Sequence, residues 1–163
     1  MSGSQDQANG GGAQQWSRPQ HAVAYQEARA VLNAQQQRKG NLDDKALRTA
    51  RLTTVVVGAV ITVAKAFDIV VVEPLGYIGI GLLVVSFGAA LTAYGLSGPV
   101  LGPSAGGLRE LVEAERWERT FLFQLEAAID VNTTRLGRSS FVLLISDITL
   151  FAGVIATLAA IAL

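Results

Sequence analysis

The stretch from Leu75 to Leu96 carries no charged residue, and it limits what this chain can become more than any other feature. At about 1.5 Å per residue, roughly 22 helical residues reach across a hydrocarbon core of about 30 Å, and a core helix of a water-soluble protein rarely stays apolar on every face for that length. Leu52 to Phe67 is a second apolar run, shorter and holding one charge, Lys65, near its far end; Phe141 to Leu163 is a third. The polar interruption from Asp68 to Pro74 makes a hairpin of the first two. The expected fold class is therefore all-α: an integral membrane helical protein with three transmembrane helices and a cytosolic helical hairpin or bundle.

Those runs commit about 65 residues to lipid, which leaves room for a modest soluble part and none for a separate enzyme domain. Lys and Arg number 13, as do Asp and Glu, so the basic excess that nucleic acid requires is missing. With no Cys and a single His, His21, the chain has no disulfides, thiolate metal sites or Cys nucleophiles to offer, and no His-based zinc site. No metal, cofactor or nucleic-acid partner is expected. No His, Ser or carboxylate cluster stands at catalytic spacing beside the spans, so the expectation is a non-enzyme. The first residues lack the basic region and apolar stretch of a cleaved signal peptide, and the first span is expected to act as a signal anchor.

Residues 1–19 are rich in Gln, Gly and Ser with almost nothing to bury, the composition of a disordered tail. Trp16 is the exception: an interfacial or docking side chain or, as is commoner for an isolated aromatic in a tail, an inert one. From 20 to 40 a cytosolic helix is expected, with Val23, Ala24, Ala28, Val31, Leu32 and Gln35 as its thin apolar stripe. Gly40 and Asn41 should break it, Asp43 standing as the cap of the next helix and Asp44 in its first turn. Residues 41–98 form the transmembrane hairpin, with Lys45, Arg48 and Arg51 reaching headgroups at its entry. The 99–107 loop ends it, its two prolines and three glycines, with Gly98 just before them, being unable to continue a helix.

A long cytosolic amphipathic helix, 108–138, should follow. Leu108, Leu111, Val112, Leu122, Leu125, Ile129 and Leu136 form its apolar stripe, and Glu115 is spaced to pair with Arg119. Its wet face is acid-rich and would be repelled by anionic headgroups, which favours packing against the 20–38 helix or against another copy. Trp117, Phe121 and Phe123 widen the apolar band as core packing rather than as a ligand cage. Gly137 is placed to bend the chain into the third span, 139–163.

The run Asn41-Leu-Asp-Asp-Lys-Ala-Leu-Arg, with Asp44-Lys45-Ala46 leading directly into a span, resembles the entry seen in small membrane effectors of bacterial and archaeal antiphage systems, the Pycsar type especially. Those effectors tend to show a hairpin of two spans, a cytosolic helix with an Asn and a Leu a turn later, and a further span; Asn132 and Leu136 before Phe141 are similar. The resemblance implies a prokaryotic antiviral defence protein that perturbs the membrane when triggered. The chain has no separate nucleotide-binding domain.

Four intramembrane features invite a role. Lys65 and Asp68 lie three residues apart and can pair on one helix face, as an interfacial pair or as part of a pore. Gly81, Gly88 and Gly95 recur every seven residues, a packing seam for a neighbour in the same chain or in another subunit. Asp147 is the ionisable residue placed where lipid should surround it, at a cost of about 2.5–3.5 kcal/mol, so it should face protein or water. Counting inward from the ends of the spans brings Thr92 and Tyr94 to a comparable depth, and either hydroxyl could hold the Asp147 carboxyl.

Orientation follows from counting cations. Lys39, Lys45, Arg48 and Arg51 precede the first span, and Arg109, Arg116, Arg119, Arg135 and Arg138 separate the second from the third, which puts the N-terminus in the cytoplasm and the C-terminus outside. The expectation is a multi-pass, non-enzymatic protein of the cell membrane. Its partners are the lipid bilayer and either further copies in a homo-oligomer or another membrane protein. It acts as a membrane-perturbing defence effector or, alternatively, as a small scaffold or accessory subunit of a larger membrane complex.

Overall fold

The computed structural model describes residues 16–66, 73–95, 98–103, 106–107, 110 and 114–162. The described residues form three long helices: α1 (Pro19–Ala66), α2 (Glu73–Gly95) and α3 (Trp117–Ala162). All three are long and apolar enough to cross a bilayer. With 48 and 46 residues, α1 and α3 are each about 70 Å long, twice the length of α2. Each of the two therefore has a polar half, up to about Arg51 and Ser140, and an apolar half beyond it.

The expected break at Gly40 and Asn41 is absent: α1 runs through both residues. A glycine inside a helix costs about 1 kcal/mol, and here packing on either side offsets it. Leu32, Lys39, Ala46 and Thr53, at intervals of seven, are buried along one face. Asp43 is no cap; it pairs one turn back with Lys39, bridging the glycine. Gly137 likewise leaves α3 unbroken.

A second correction concerns the helix expected over 108–138. Residues 106, 107 and 110 are helical, but 114–116 are not, and the helix that continues into the third span begins at Trp117. The cause is topological. Gly98 lies against Arg135, whose guanidinium donates to its carbonyl at 3.4 Å, so the chain leaving α2 stands 18 residues beyond the point where α3 starts. It must travel back along the polar half, past Asn132 and Gln124, before it can turn. Leu108, Arg109, Leu111 and Val112, expected in that helix, lie outside the described residues.

The two long helices run parallel. Side-chain hydrogen bonds join them from Ser17 and Glu118 at one end to Thr49 and Asp147 near the middle, always across 94 to 101 residues of sequence. In the polar half Leu32, Leu125 and Ala128 make the core, with Tyr25, Ala28, Phe121 and Ile129 around them, which bears out the expected packing of the third helix on the 20–38 segment. Phe121 serves as core there, whereas Phe123 is 65% exposed.

Helix α2 runs antiparallel to α3 along the apolar half. Gly76, Gly79, Leu83, Ser86, Ala90 and Ala93 are buried, at alternating steps of three and four. Ser86 donates to the Ser146 carbonyl at 2.8 Å and Ser146 to the Ser86 carbonyl at 2.7 Å. Such interhelical hydroxyl bonds stabilise by about 0.6 kcal/mol each in an apolar medium. Two turns further along, Gly79 and Gly153 let the backbones meet. A Cβ on Gly79 would lie 2.4 Å from Thr157 Oγ1, and one on Gly153 would lie 3.1 Å from the Gly79 carbonyl oxygen.

The apolar stretches of the three helices do not start level. With Thr49 beside Asp147, Leu52 stands level with about Leu150, whereas the apolar stretch of α3 begins at Phe141. The difference is about nine residues, or roughly 13 Å. With Ser86 beside Ser146, the end of α2 stands still further back, level with about Gly137. On the α1 flank, charged residues thus continue alongside apolar residues of α3 and α2.

Candidate functional site

Three polar arrangements interrupt the apolar packing. The first caps the polar half. Glu118, in the first turn of α3 and 7% exposed, accepts from the Ser17 amide at 2.6 Å, from the Ser17 hydroxyl at 2.5 Å and from His21 Nδ1 at 2.5 Å. Trp16 lies stacked on Trp117, ring centroids 5.6 Å apart, and also meets Tyr25 and Phe121. Trp16 is thus a docked side chain rather than an inert one, and Trp117 is its partner. Composition gave no sign of this, because neither an isolated tryptophan nor a single histidine has a periodicity.

Ser17, by its hydroxyl and then its amide, and His21 after it hold the Glu118 carboxyl at about 2, below its ordinary value of 4.5, while burial works the other way. Because the folded value is the lower one, the cap contributes fully above about pH 4.5 and is lost as pH falls toward 2. The chain has two tryptophans, and both sit in this cap. Tryptophan emission should therefore change over that acid window while helical circular dichroism persists, and Glu118→Gln should abolish the transition. An emission profile that is the same in the variant would show that the cap does not depend on the carboxylate.

The second arrangement is a clamp. Asn132, 2% exposed, donates its amide to the Val100 carbonyl at 2.9 Å and accepts from the Val100 amide at 2.8 Å, as a neighbouring strand would. It fixes the strap 98–103 against the polar half, helped by Arg29, which donates to the Leu101 carbonyl at 3.2 Å. Leu136, one turn on, is buried.

The third lies where polar and apolar halves meet. Asp147 accepts from the Thr49 hydroxyl at 3.0 Å, at the end of a groove between α1 and α3 lined by Arg38, Asn41, Lys45, Ser140, Leu144 and Asp147 itself. Neither Thr92 nor Tyr94 holds this carboxyl. The Thr92 hydroxyl donates to the Gly88 carbonyl of its own helix, and Tyr94 is 48% exposed. Counting from the ends of the spans assumed a common starting plane, and the stagger of the helices moves Thr92 and Tyr94 well behind Asp147.

Gly81, Gly88 and Gly95 are exposed, and a Cβ on any of them would meet nothing within 4 Å. They are not a seam within this chain; that role falls to Gly79 with Gly153, one step round the helix. Of the entry motif, Asp44 and Lys45 are exposed, while Ala46 is 1% exposed and packs with Ala93 and Leu143. Lys65 is exposed near the end of α1, and Asp68, its expected partner, lies outside the described residues. Glu115 and Arg119 form no ion pair; among the described residues the ion pairs are His21 with Glu118 and Lys39 with Asp43.

Among the described residues these features define an all-helical protein with three helices able to cross a membrane, two of them prolonged into a joined polar half. Compared with known families, with curated proteins and with solved structures, the chain matches none.

Proposed function

We propose that this chain is a non-enzymatic, multi-pass protein of the prokaryotic cell membrane, with its polar half and N-terminus in the cytoplasm and its C-terminus outside. The observation that carries the reading is a display of large apolar side chains on the outside of a core that, beside Leu83, Leu143 and Leu150, is built of small and hydroxyl residues. In the apolar half the interior holds Thr53, Ser86, Ser146, Gly153 and Thr157, while Phe87, Phe141, Ile148, Phe151 and Ile155 are 38% to 69% exposed. Water would oppose that arrangement over so long a surface, and lipid favours it, since small and hydroxyl residues let helices meet closely where no hydrophobic drive joins them. The cations of residues 29–51 and 116–138 flank the apolar halves on one side, which supports the orientation.

Within that frame, a homo-oligomeric, membrane-perturbing defence effector is the leading function. It is supported by the likeness of the Asp44-Lys45-Ala46 entry and by the buried positions of Asn132 and Leu136. The second reading, a scaffold or accessory subunit of a larger membrane complex, draws on Val23, Val31, Phe123 and Val131, apolar residues left 41% to 65% exposed on the polar half. Two measurements test the proposal. Reporter fusions at Met1, near Pro74 and after Leu163 should read inside, outside and outside; a C-terminal reporter found inside would overturn the three-span topology. Overproduction should depolarise cells if the chain is an effector, and unchanged membrane potential under every trigger that induces the gene would favour the scaffold.

A further inference from the structure

The groove between α1 and α3 has the character of an amphiphile's socket. Its volume is about 440 Å³, and its lining changes along its length. Toward the polar half stand Arg38 and Asn41, with Ser140 across from Asn41, then Lys45 level with about Leu143; toward the apolar half stands Leu144, with Asp147 at the far end. Among the described residues Arg38 and Lys45 take part in no ion pair, although both line one cavity and carry the same sign. Two unpaired cations seven residues apart on one helix face leave a positive rim above an apolar floor.

The stagger of the helices supplies the second observation. Lys45 stands level with about Leu143, already inside the apolar stretch of α3, so lipid against α3 and charge on α1 occupy the same height. A headgroup drawn down the α1 flank satisfies both, because its phosphate meets the cations while its chains follow Leu144 and the exposed Ile148. Basic pockets between helices at the cytoplasmic face have this chemistry.

We infer that the groove holds the phosphate of an anionic phospholipid, with Arg38 and Lys45 as its cationic contacts and Asn41 and Ser140 as polar ones. Asp147 closes the far end with its carboxyl bound to Thr49, and its charge disfavours a second phosphate deeper in the groove. The inference rests on the membrane reading above.

The test is native mass spectrometry of the full chain in mild detergent, with phosphatidylglycerol or phosphatidylcholine of the same acyl chains added. Phosphatidylglycerol should be retained in preference. The double variant Arg38→Gln with Lys45→Gln should lower that retention about 25-fold, at roughly fivefold for each cation near a lipid surface. Arg119→Gln, which removes the same charge from the opposite end of the polar half, should leave it unchanged. Asp147→Asn should raise it severalfold, and a fall would overturn the assignment. Equal retention of the two lipids, or an equal loss in Arg119→Gln, would overturn it as well. Displacement of the lipid by millimolar inorganic phosphate would identify a free-phosphate site and overturn the lipid assignment. A chain released from membranes by alkaline carbonate would fail the membrane reading itself; an inserted chain without lipid preference would fail this inference alone.

Discussion

Gly79→Leu is expected to separate α2 from α3 and to leave the protein without its compact apolar half. Even Gly79→Ala should destabilise by about 1–3 kcal/mol, the usual cost of adding a methyl group to a packed interior. The added atom would lie 2.4 Å from the Thr157 hydroxyl oxygen and 2.9 Å from the Thr157 backbone nitrogen. The hydroxyl could rotate away at the loss of its 2.7 Å bond to the Gly153 carbonyl, but the backbone nitrogen cannot. Gly81→Ala is the matched control. Nothing stands within 4 Å of its added methyl, and its effect should stay within about 0.5 kcal/mol. Thermal unfolding in detergent compares the two, and equal midpoints would refute the close approach of the backbones at Gly79. The same experiment on Gly88→Leu and Gly95→Leu examines another matter. These positions are open in the single chain, so a loss of oligomer without a loss of stability would place a second copy on that face.

The next largest effect is expected at Asn132. Its amide meets both polar groups of Val100, and Asn132→Leu would leave that half-buried amide and carbonyl without partners. Each group left unsatisfied costs about 1–3 kcal/mol, less to the extent that water reaches it. The strap 98–103 should then detach and become open to limited proteolysis, while the helices persist. Asn132→Asp keeps the acceptor for the Val100 amide but sets a carboxylate against the Val100 carbonyl, so it should detach the strap nearly as well. Protease resistance in both variants would mean that the strap is held by other contacts.

Several of these features could be read from residue order alone, and others could not, for identifiable reasons. The uncharged run from Leu75 to Leu96 announces α2 because an apolar stretch of that length has few other uses. The packing of Leu122, Leu125 and Ile129 on the segment containing Leu32 follows from their spacing and from an acid-rich opposite face. Gly40 misled because local propensity speaks for a break, whereas continuity depends on α3, which lies some 97 residues away and contacts α1 on both sides of the glycine. The glycine seam misled in a similar way. A period of seven marks a face without saying whether anything covers it, and the face that is covered, from Gly76 to Ala93, is made mostly of alanine, serine and leucine. The partner of Asp147 depended on how far one helix slides past another, a quantity set by packing and by no local pattern.

The parallel pairing of α1 and α3 also orders events during synthesis. The contacts that close the polar half join residues about 100 positions apart, so the first half of α1 emerges and waits while α2 and the strap are made. Contacts this distant in sequence are entropically slow to form. Until Trp117 to Leu136 has left the ribosome, the apolar stripe containing Tyr25, Ala28 and Leu32 has no covering surface. The nascent chain therefore passes through a stage in which its hairpin is complete and its polar half is open to chaperones, proteases and neighbouring nascent copies.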